Sequence, residues 1–349
     1  MNAPIQSADL MPQTVEFKLN DQRVQAYEGE SILKAAQRHG VDIPHLCYKD
    51  GLRADGNCRA CVVEIKGERT LASSCCRTAT AGLEVLVSDR AIKSQKMVLE
   101  MLLSDMPDVG YKWNDAASVS SASSLAAATG DTLGSSCGEP KSSPSVSPIA
   151  AGGVARNSFS SELADGQHGE LSDWASRLNV SVRPALRALR REQPACDVSH
   201  PAMAVNLDAC IQCNRCVRAC REEQVNDVIG YAHRGAHSQI VFDLNDAMGN
   251  SSCVACGECV QACPTGALMP KTQIGSQVVD KQVDSVCPFC GVGCLLTYNV
   301  KDNKIVSVDG RDGPANHNRL CVKGRFGFDY IHSPQRLTVP LIRKAGVPK

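Results

Sequence analysis

The chain has 349 residues, with Lys+Arg and Asp+Glu balanced at 37 each and a formal net charge of zero. That length suits two or three domains, and the missing basic excess excludes a reading built on nucleic acid or an anionic membrane surface. No apolar run reaches the about 18 residues of a transmembrane helix, so no membrane span is expected.

The opening "MNAPIQSADLMPQTVEF" has no basic n-region, no apolar h-region and no twin arginine. A cytoplasmic location is therefore expected. In a reducing compartment the 19 cysteines read as metal ligands rather than disulfides. Aromatic residues make up only 4% of the chain, thin for ordinary cores. Metal–thiolate bonds would add the missing cohesion.

In chain order, "TVEFKLNDQRVQAY" (14–27) alternates apolar and polar residues around Asn20-Asp21, which predicts a hairpin. "ESILKAAQRHG" predicts a short helix with Ser31 as N-cap and Gly40 past its end. "CVVEIKG" and "LEVLVSD" read as further strands, and Ile92, Val98, Leu99, Leu102 and Leu103 fall on one helical face. Residues 116–165, rich in Ser, Ala, Gly and Pro, read as a disordered linker, and 166–194 as a helical segment with Leu171, Trp174, Ala175 and Leu178 on one side. The fold class expected is α+β and multidomain: a first domain over 14–90, a helix over 91–115, the linker and helical segment, a cysteine-rich domain over 195–275, and a last unit over 283–345.

Cysteines carry the chemistry. The pattern C-x2-C-x2-C-x3-C occurs at Cys210, Cys213, Cys216 and Cys220, and again at Cys253, Cys256, Cys259 and Cys263, 43 residues later. Such density does not suit one tetrahedral zinc ion, which takes two ligand pairs across a longer loop. In two-cluster ferredoxins the first three cysteines hold one [4Fe–4S] cluster and the fourth serves the other. The expected sets are therefore Cys210, Cys213, Cys216 and Cys263, and Cys253, Cys256, Cys259 and Cys220. A second constellation, Cys47, Cys58, Cys61 and Cys75, keeps the close pair and distant fourth ligand of a plant-type [2Fe–2S] site, with a longer first gap. On the residues alone Cys76 rivals Cys75, and a zinc site is the alternative. A third, "VCPFCGVGC" with "RLCVKGRFG", supplies Cys287, Cys290, Cys294 and Cys321 for another [4Fe–4S] cluster, with Lys323 two residues beyond. Arg215, Arg218 and Arg221 read as a solvated helix face, and His200, His233 and His317 as surface residues.

The order of these units, with "CVRACREEQVNDVIGYA", "CVACGECVQACPTGAL" and "CPFCGVGC…CVKGR", resembles the N-terminal portion of the alpha subunit of molybdenum or tungsten NAD-dependent formate dehydrogenases. The first unit also resembles the large iron–sulfur subunit of respiratory complex I and iron-only hydrogenases. The resemblance implies a β-grasp [2Fe–2S] domain, a two-cluster [4Fe–4S] domain and a small β-rich molybdopterin-oxidoreductase [4Fe–4S] domain. It favours Cys75 over Cys76, because Gly82 stands seven residues beyond. It implies an electron relay through one [2Fe–2S] and three [4Fe–4S] clusters, from a formate-oxidising molybdenum bis(pterin guanine dinucleotide) centre to a flavin/NAD-binding beta subunit, with a small gamma subunit. Lys323 matches the lysine set between cluster and pterin. The catalytic centre is expected on a further molybdopterin domain outside these 349 residues. The alternative reading is a ferredoxin-like subunit of a hydrogenase, diaphorase or complex I-like assembly. The additional H-x3-C-x2-C-x5-C cluster motif of many relatives has no counterpart here, and Cys137 and His168 read as linker or surface residues.

Overall fold

The computed structural model describes residues 13–106, 169–191, 195–274 and 279–342. Strands β1 (Thr14–Leu19) and β2 (Gln22–Tyr27) form the expected antiparallel hairpin. Its turn residues Asn20 and Asp21 both take positive φ, 49° and 64°. That turn geometry matches strand twist, and short polar side chains tolerate it. The alternation sends Phe17, Leu19, Val24 and Ala26 to the buried face. Helix α1 (Ile32–Arg38) starts where the Ser31 hydroxyl accepts from the Lys34 N–H at 3.3 Å. Its Ile32, Leu33, Ala35 and Ala36 pack into the same core.

Strands β3 (Val62–Ile65), β4 (Ala72–Ser73) and β5 (Glu84–Leu86) complete a five-stranded sheet of order β2-β1-β5-β3-β4. Only β1 and β5 run parallel. This mixed sheet against one helix is the expected α+β [2Fe–2S] ferredoxin-type fold. The two-residue β4, too short for a periodic signal, is an addition the sequence did not announce.

Helix α2 (Asp89–Ser104) is capped by Ser88 and lies at the start of the 91–115 span expected, whose residues 107–115 are outside the described ones. Leu99 is wholly buried on its apolar face. Gln95 is buried there too and donates to the Val62 carbonyl at 2.8 Å, which ties α2 to the sheet. Helices α3 (Glu170–Arg177) and α4 (Pro184–Arg187) follow, and α3 buries Leu171 and Ala175 as its spacing predicts. Glu100 of α2 takes a bidentate bond from Arg183, with its nearer contact at 2.7 Å. The linker over 116–165, with Cys137, and His168 lie outside the described residues.

The cysteine-rich domain repeats one plan twice. Strands β6 (Met203–Val205) and β9 (Leu268–Pro270) pair antiparallel, as do β7 (Ile229–Ala232) and β8 (Gln239–Phe242). Each cysteine run enters a short helix, α5 (Arg215–Arg218) or α6 (Glu258–Ala262), and α5 widens into a π-turn over Ala219–Glu223. His200, expected at the surface, is buried instead. Its Nδ1 accepts from the N–H groups of Ala202 and Met203 at 3.1 and 3.2 Å, so it serves as a turn cap leading into β6, and burial lowers its pKa.

The last unit is an antiparallel meander, β10 (Lys281–Val286), β11 (Leu295–Lys301) and β12 (Lys304–Gly310). Helix α7 (Val322–Phe326) packs beside β12, over a small core of Leu296, Val308, Leu320 and Phe328. Among the described residues no helix is long and apolar enough to cross a membrane.

Leu99→Ala is expected to cost about 2–5 kcal/mol through the cavity it leaves, whereas Met101→Ala, at a position 61% exposed, should stay within about 0.5 kcal/mol. Denaturant unfolding of the two variants checks the contrast.

Candidate metal centres

The three constellations become four groups of thiols. None of the described cysteines is in a disulfide. Among the described residues no three His, Cys, Asp or Glu side chains converge on a point that would hold a single ion. The groups are instead defined by mutual contact and by which thiol feels the charge of which.

In the first domain Cys47, Cys61 and Cys75 are buried and Cys58 is half-buried. Cys47 lies in hydrogen-bonding contact with Cys58 and Cys75, and Cys61 with Cys75. Those bonds hold the Cys47 and Cys61 thiols below their usual range and push Cys58 and Cys75 up. The Cys47 N–H also donates to the Cys58 sulfur at 3.4 Å. Cys76 is exposed, 3.6 Å from the Cys75 sulfur but on the outer side. The structure thus gathers Cys47, Cys58, Cys61 and Cys75, and leaves Cys76 at their edge.

In the repeat the crossover is visible in the field each thiol experiences. Burial pushes the Cys210 thiol up to about 11 and Cys213 up to about 12, and both feel the charge of Cys263. Burial raises Cys216 as well, with Cys213, Cys210 and Cys263 adding to it and Cys259 of the other group after them. In the second group burial raises Cys253, Cys256 and Cys259, and all three feel Cys220. Cys210, Cys213, Cys216 and Cys263 line one cavity, and Cys220 lies near enough to Cys253, Cys256 and Cys259 for its charge to reach all three. The fourth group is half-exposed: the Cys294 thiol, raised by burial, feels Cys287, Cys290 and Cys321. Lys323, an exposed residue of α7, follows Cys321 by two positions.

The backbone between these cysteines is bent to present N–H groups to sulfur. Gln212 and Ala255 donate to the Cys210 and Cys253 sulfurs at 3.4 Å each. To do so Gln212, Asn214 and Ala255 adopt positive φ of 54°, 66° and 58°. Such strain in non-glycine residues persists where the surroundings impose it. Each Gln212/Ala255 and Asn214/Gly257 pair occupies equivalent places in the repeat. At Gly257 a side chain would collide with Arg325.

The donor sets suit iron–sulfur clusters. Each has four thiols, and N–H donors point at the sulfurs, one of the features that tunes such clusters. Cys210, Cys213, Cys216 and Cys263 line one cavity together with Gln212, Tyr231 and Thr265. Beside it the Arg215 Nε, fully buried, has no protein partner, which suits an anionic group in the neighbouring space. Bound iron would supply the positive charge that lets these buried thiols give up their protons.

The arginines correct the sequence reading. Arg215 and Arg218 are 1% and 2% exposed, not solvated. Arg215 pairs with Glu170 of α3 at 2.8 Å and donates to the Tyr48 carbonyl. Arg218 donates to the carbonyls of Cys47, Arg53 and Cys213. Only Arg221 is exposed, paired with Asp227, because the π-turn after α5 breaks the three-residue spacing that aligned it with the others. Three residues apart puts Arg215 and Arg218 on one helical face. That was the signal available in the sequence, and it did not say which way the face pointed.

Glu258 was not singled out by sequence. It stands in the second copy where Arg215 stands in the first, is 1% exposed, and pairs with Arg325 at 2.6 Å and Arg319 at 3.2 Å. Arg325 also donates to the Cys256 carbonyl at 3.1 Å. These bonds fasten the last unit to the second cysteine group. Cys47 and Cys213 share one apolar cluster, and Cys216, Cys220 and Cys259 share the next. The four groups thus follow one another through the molecule: first domain, Cys210 set, Cys253 set, last unit.

Comparison with known proteins matches three families in this order. Residues 12–89 match the family described as 2Fe-2S iron-sulfur cluster binding domain, 209–267 the 4Fe-4S dicluster domain, and 280–333 the molybdopterin oxidoreductase Fe4S4 domain. Among curated relatives, the G 2 subunit of the NADH-quinone oxidoreductase of Rhizobium meliloti (strain 1021) is 29% identical over 95% of this chain and 33% of its own length. A formate dehydrogenase candidate of Bacillus subtilis (strain 168) is 25% identical over 95% of the chain and 33% of its own length. The alpha subunit of the NADPH-Fe(3+) oxidoreductase of Geobacter sulfurreducens is 26% identical over 94% and 33%. The chain thus spans about a third of the length of these relatives. A chain in the crystal structure of an NAD+-reducing [NiFe]-hydrogenase shares the fold, with TM-score 0.54 and 22% identity, covering 76% of this chain and 92% of that one.

Cys75→Ser is expected to remove about two iron atoms per chain together with the [2Fe–2S] spectrum, while Cys76→Ser keeps both. Iron analysis with EPR decides between them, and the reverse result would make Cys76 the ligand. Glu258→Gln leaves Arg325 buried without its counter-charge and should destabilise the protein by about 3–5 kcal/mol, read from denaturant unfolding.

Proposed function

We propose that this chain, which carries the iron–sulfur domains of the molybdopterin oxidoreductase family, is the electron-transfer portion of a formate dehydrogenase of the NAD-dependent type. Its residues would hold one [2Fe–2S] cluster on Cys47, Cys58, Cys61 and Cys75. Three [4Fe–4S] clusters would sit on the Cys210/Cys213/Cys216/Cys263, Cys220/Cys253/Cys256/Cys259 and Cys287/Cys290/Cys294/Cys321 sets. A bound cluster of either kind supplies reversible one-electron uptake.

What the chain itself does is hold, bury and order these sites. Backbone N–H groups at Gln212 and Ala255 face cysteine sulfur and favour the more reduced, more negative state. In the middle sets Cys213, Cys216, Cys220 and Cys259 are buried and the other four thiols half-buried, which limits water there. The half-exposed Cys287 set, with Cys290 and Cys321 open to solvent and Lys323 next to it, is the end that meets a molybdopterin partner domain. The first domain is the end toward a flavin/NAD-binding subunit, with a small gamma subunit beside it. Formate oxidation on the partner would yield carbon dioxide, a proton and two electrons, and Lys323 would lie between cluster and pterin.

The observation that carries this reading is the last unit. A molybdopterin oxidoreductase Fe4S4 domain follows the dicluster domain, and a general ferredoxin has no use for it. A relative named for formate dehydrogenase matches over nearly the whole chain. The second reading, a subunit of a complex I-like assembly or of a hydrogenase with a diaphorase module, is supported by the quinone-oxidoreductase relative and the hydrogenase fold.

The test is iron, acid-labile sulfide and EPR on the anaerobically purified complex, followed by addition of formate or hydrogen. About 14 iron atoms per chain are expected, 2 + 4 + 4 + 4, with the signals appearing on formate. Reduction by hydrogen and not by formate supports the second reading. Zinc without sulfide sinks electron transfer altogether.

A further inference from the structure

Arg218 stands where two of the cysteine groups meet. It belongs to the helix that carries Cys216, and its guanidinium is 2% exposed. One nitrogen, Nη2, donates to the carbonyl of Cys47 in the first domain and to that of Cys213 in the repeat, the latter at 3.5 Å. The other terminal nitrogen donates to the Arg53 carbonyl, and Nε to the Asn214 carbonyl at 3.3 Å. The only carboxylate paired with it among the described residues is Asp55, at 3.9 Å and itself held by Asn214 at 2.9 Å. A buried cation therefore lies between a residue of the [2Fe–2S] set and a residue of the nearest [4Fe–4S] set, with a looser anion to one side. Its charge reaches the Cys47 thiol.

We propose that Arg218 is a positioning residue shared by two neighbouring sites: it fixes the distance between the [2Fe–2S] set and the Cys210 set, and its charge raises the reduction potential of both. The inference rests on the electron-transfer reading above. The physical basis is that a cation close by in a low-dielectric interior stabilises the added electron at either site. A guanidinium has the fixed fork to span several carbonyls at once, which a lysine ammonium lacks. The two sites then communicate directly across Arg218.

The experiment uses the full chain, purified anaerobically with its clusters, in wild-type, Arg218→Gln, Arg218→Lys and Asp55→Asn forms. Iron content is read first. A wild-type chain far below about 14 iron atoms overturns the electron-transfer reading itself, before any variant is considered. EPR-monitored redox titration follows, with the relaxation rate of the [2Fe–2S] signal as measure of its coupling to the neighbour. Arg218→Gln is expected to lower the potentials of both centres together, slow that relaxation, and leave the Cys287 set unchanged. Asp55→Asn should shift the same two potentials upward. Opposite signs from the two neutralising changes separate a charge effect from general loosening. Unchanged potentials in Arg218→Gln, an equal shift at the Cys287 set, or a downward shift in Asp55→Asn would each overturn the proposal. If Arg218→Gln fails to retain iron, Arg218→Lys carries the test. Potentials near wild type with weakened coupling support the shared role, and coupling equal to wild type refutes it.

Discussion

The arrangement of this molecule depends on buried charge at equivalent points of an internal repeat. Arg215 in the first copy and Glu258 in the second occupy the same place between the second and third cysteines, and both are withdrawn from water. A charge so placed is tolerated only when it is paired and hydrogen-bonded. Arg215 finds Glu170 and the loop after Cys47, and Glu258 finds Arg325 and Arg319. Opposite charge at equivalent positions directs the two copies to different neighbours. The next helical position repeats the logic. Arg218 reaches back to the first domain, while Gln261 bonds Gly310 and Asn318 of the last unit at 3.1 Å. A duplicated, nearly symmetric domain thereby acquires two distinct ends.

This polar docking explains how the domains stay together with so few aromatic residues. The apolar clusters between them are modest and built partly from cysteines. Carbonyl groups around Cys47 and Cys256 would be costly to bury unbonded, and the guanidinium groups of Arg215, Arg218 and Arg325 satisfy them. Arg319 adds a third contact by donating to the Gly51 carbonyl at 2.9 Å while pairing with Glu223 at 2.8 Å. The first domain, the repeat and the last unit are thus held by one connected set of ion pairs and backbone bonds.

For electron transfer the consequence is order. In the sequence the first domain is separated from the repeat by more than a hundred residues, and the additional cluster motif that many relatives carry has no counterpart there. In the structure the Cys47 loop lies directly on the helix that carries Cys216, so no bridging cluster is required for contact between the two groups. The half-exposed thiols sit at the opposite end, beyond Glu258 and Arg325. Each group touches the next through protein atoms rather than solvent, which keeps the dielectric low and the separations fixed.

The sequence alone determined the chemistry. Cysteine spacing is a local property, because a loop of fixed length delivers its thiols whatever surrounds it, and the repeat was legible from density and order. The hairpin at Asn20-Asp21, the Ser31 cap and the face of Leu171 and Ala175 were legible for the same reason: turn chemistry and periodicity act within a few residues. Only the tertiary structure decided what distant segments do to one another. It buried Cys75 and exposed Cys76. It buried His200 and turned Arg215 and Arg218 inward, where a count of charges read solvent. The direction a polar face points depends on which domain packs against it, and that is settled by long-range contacts no local pattern encodes.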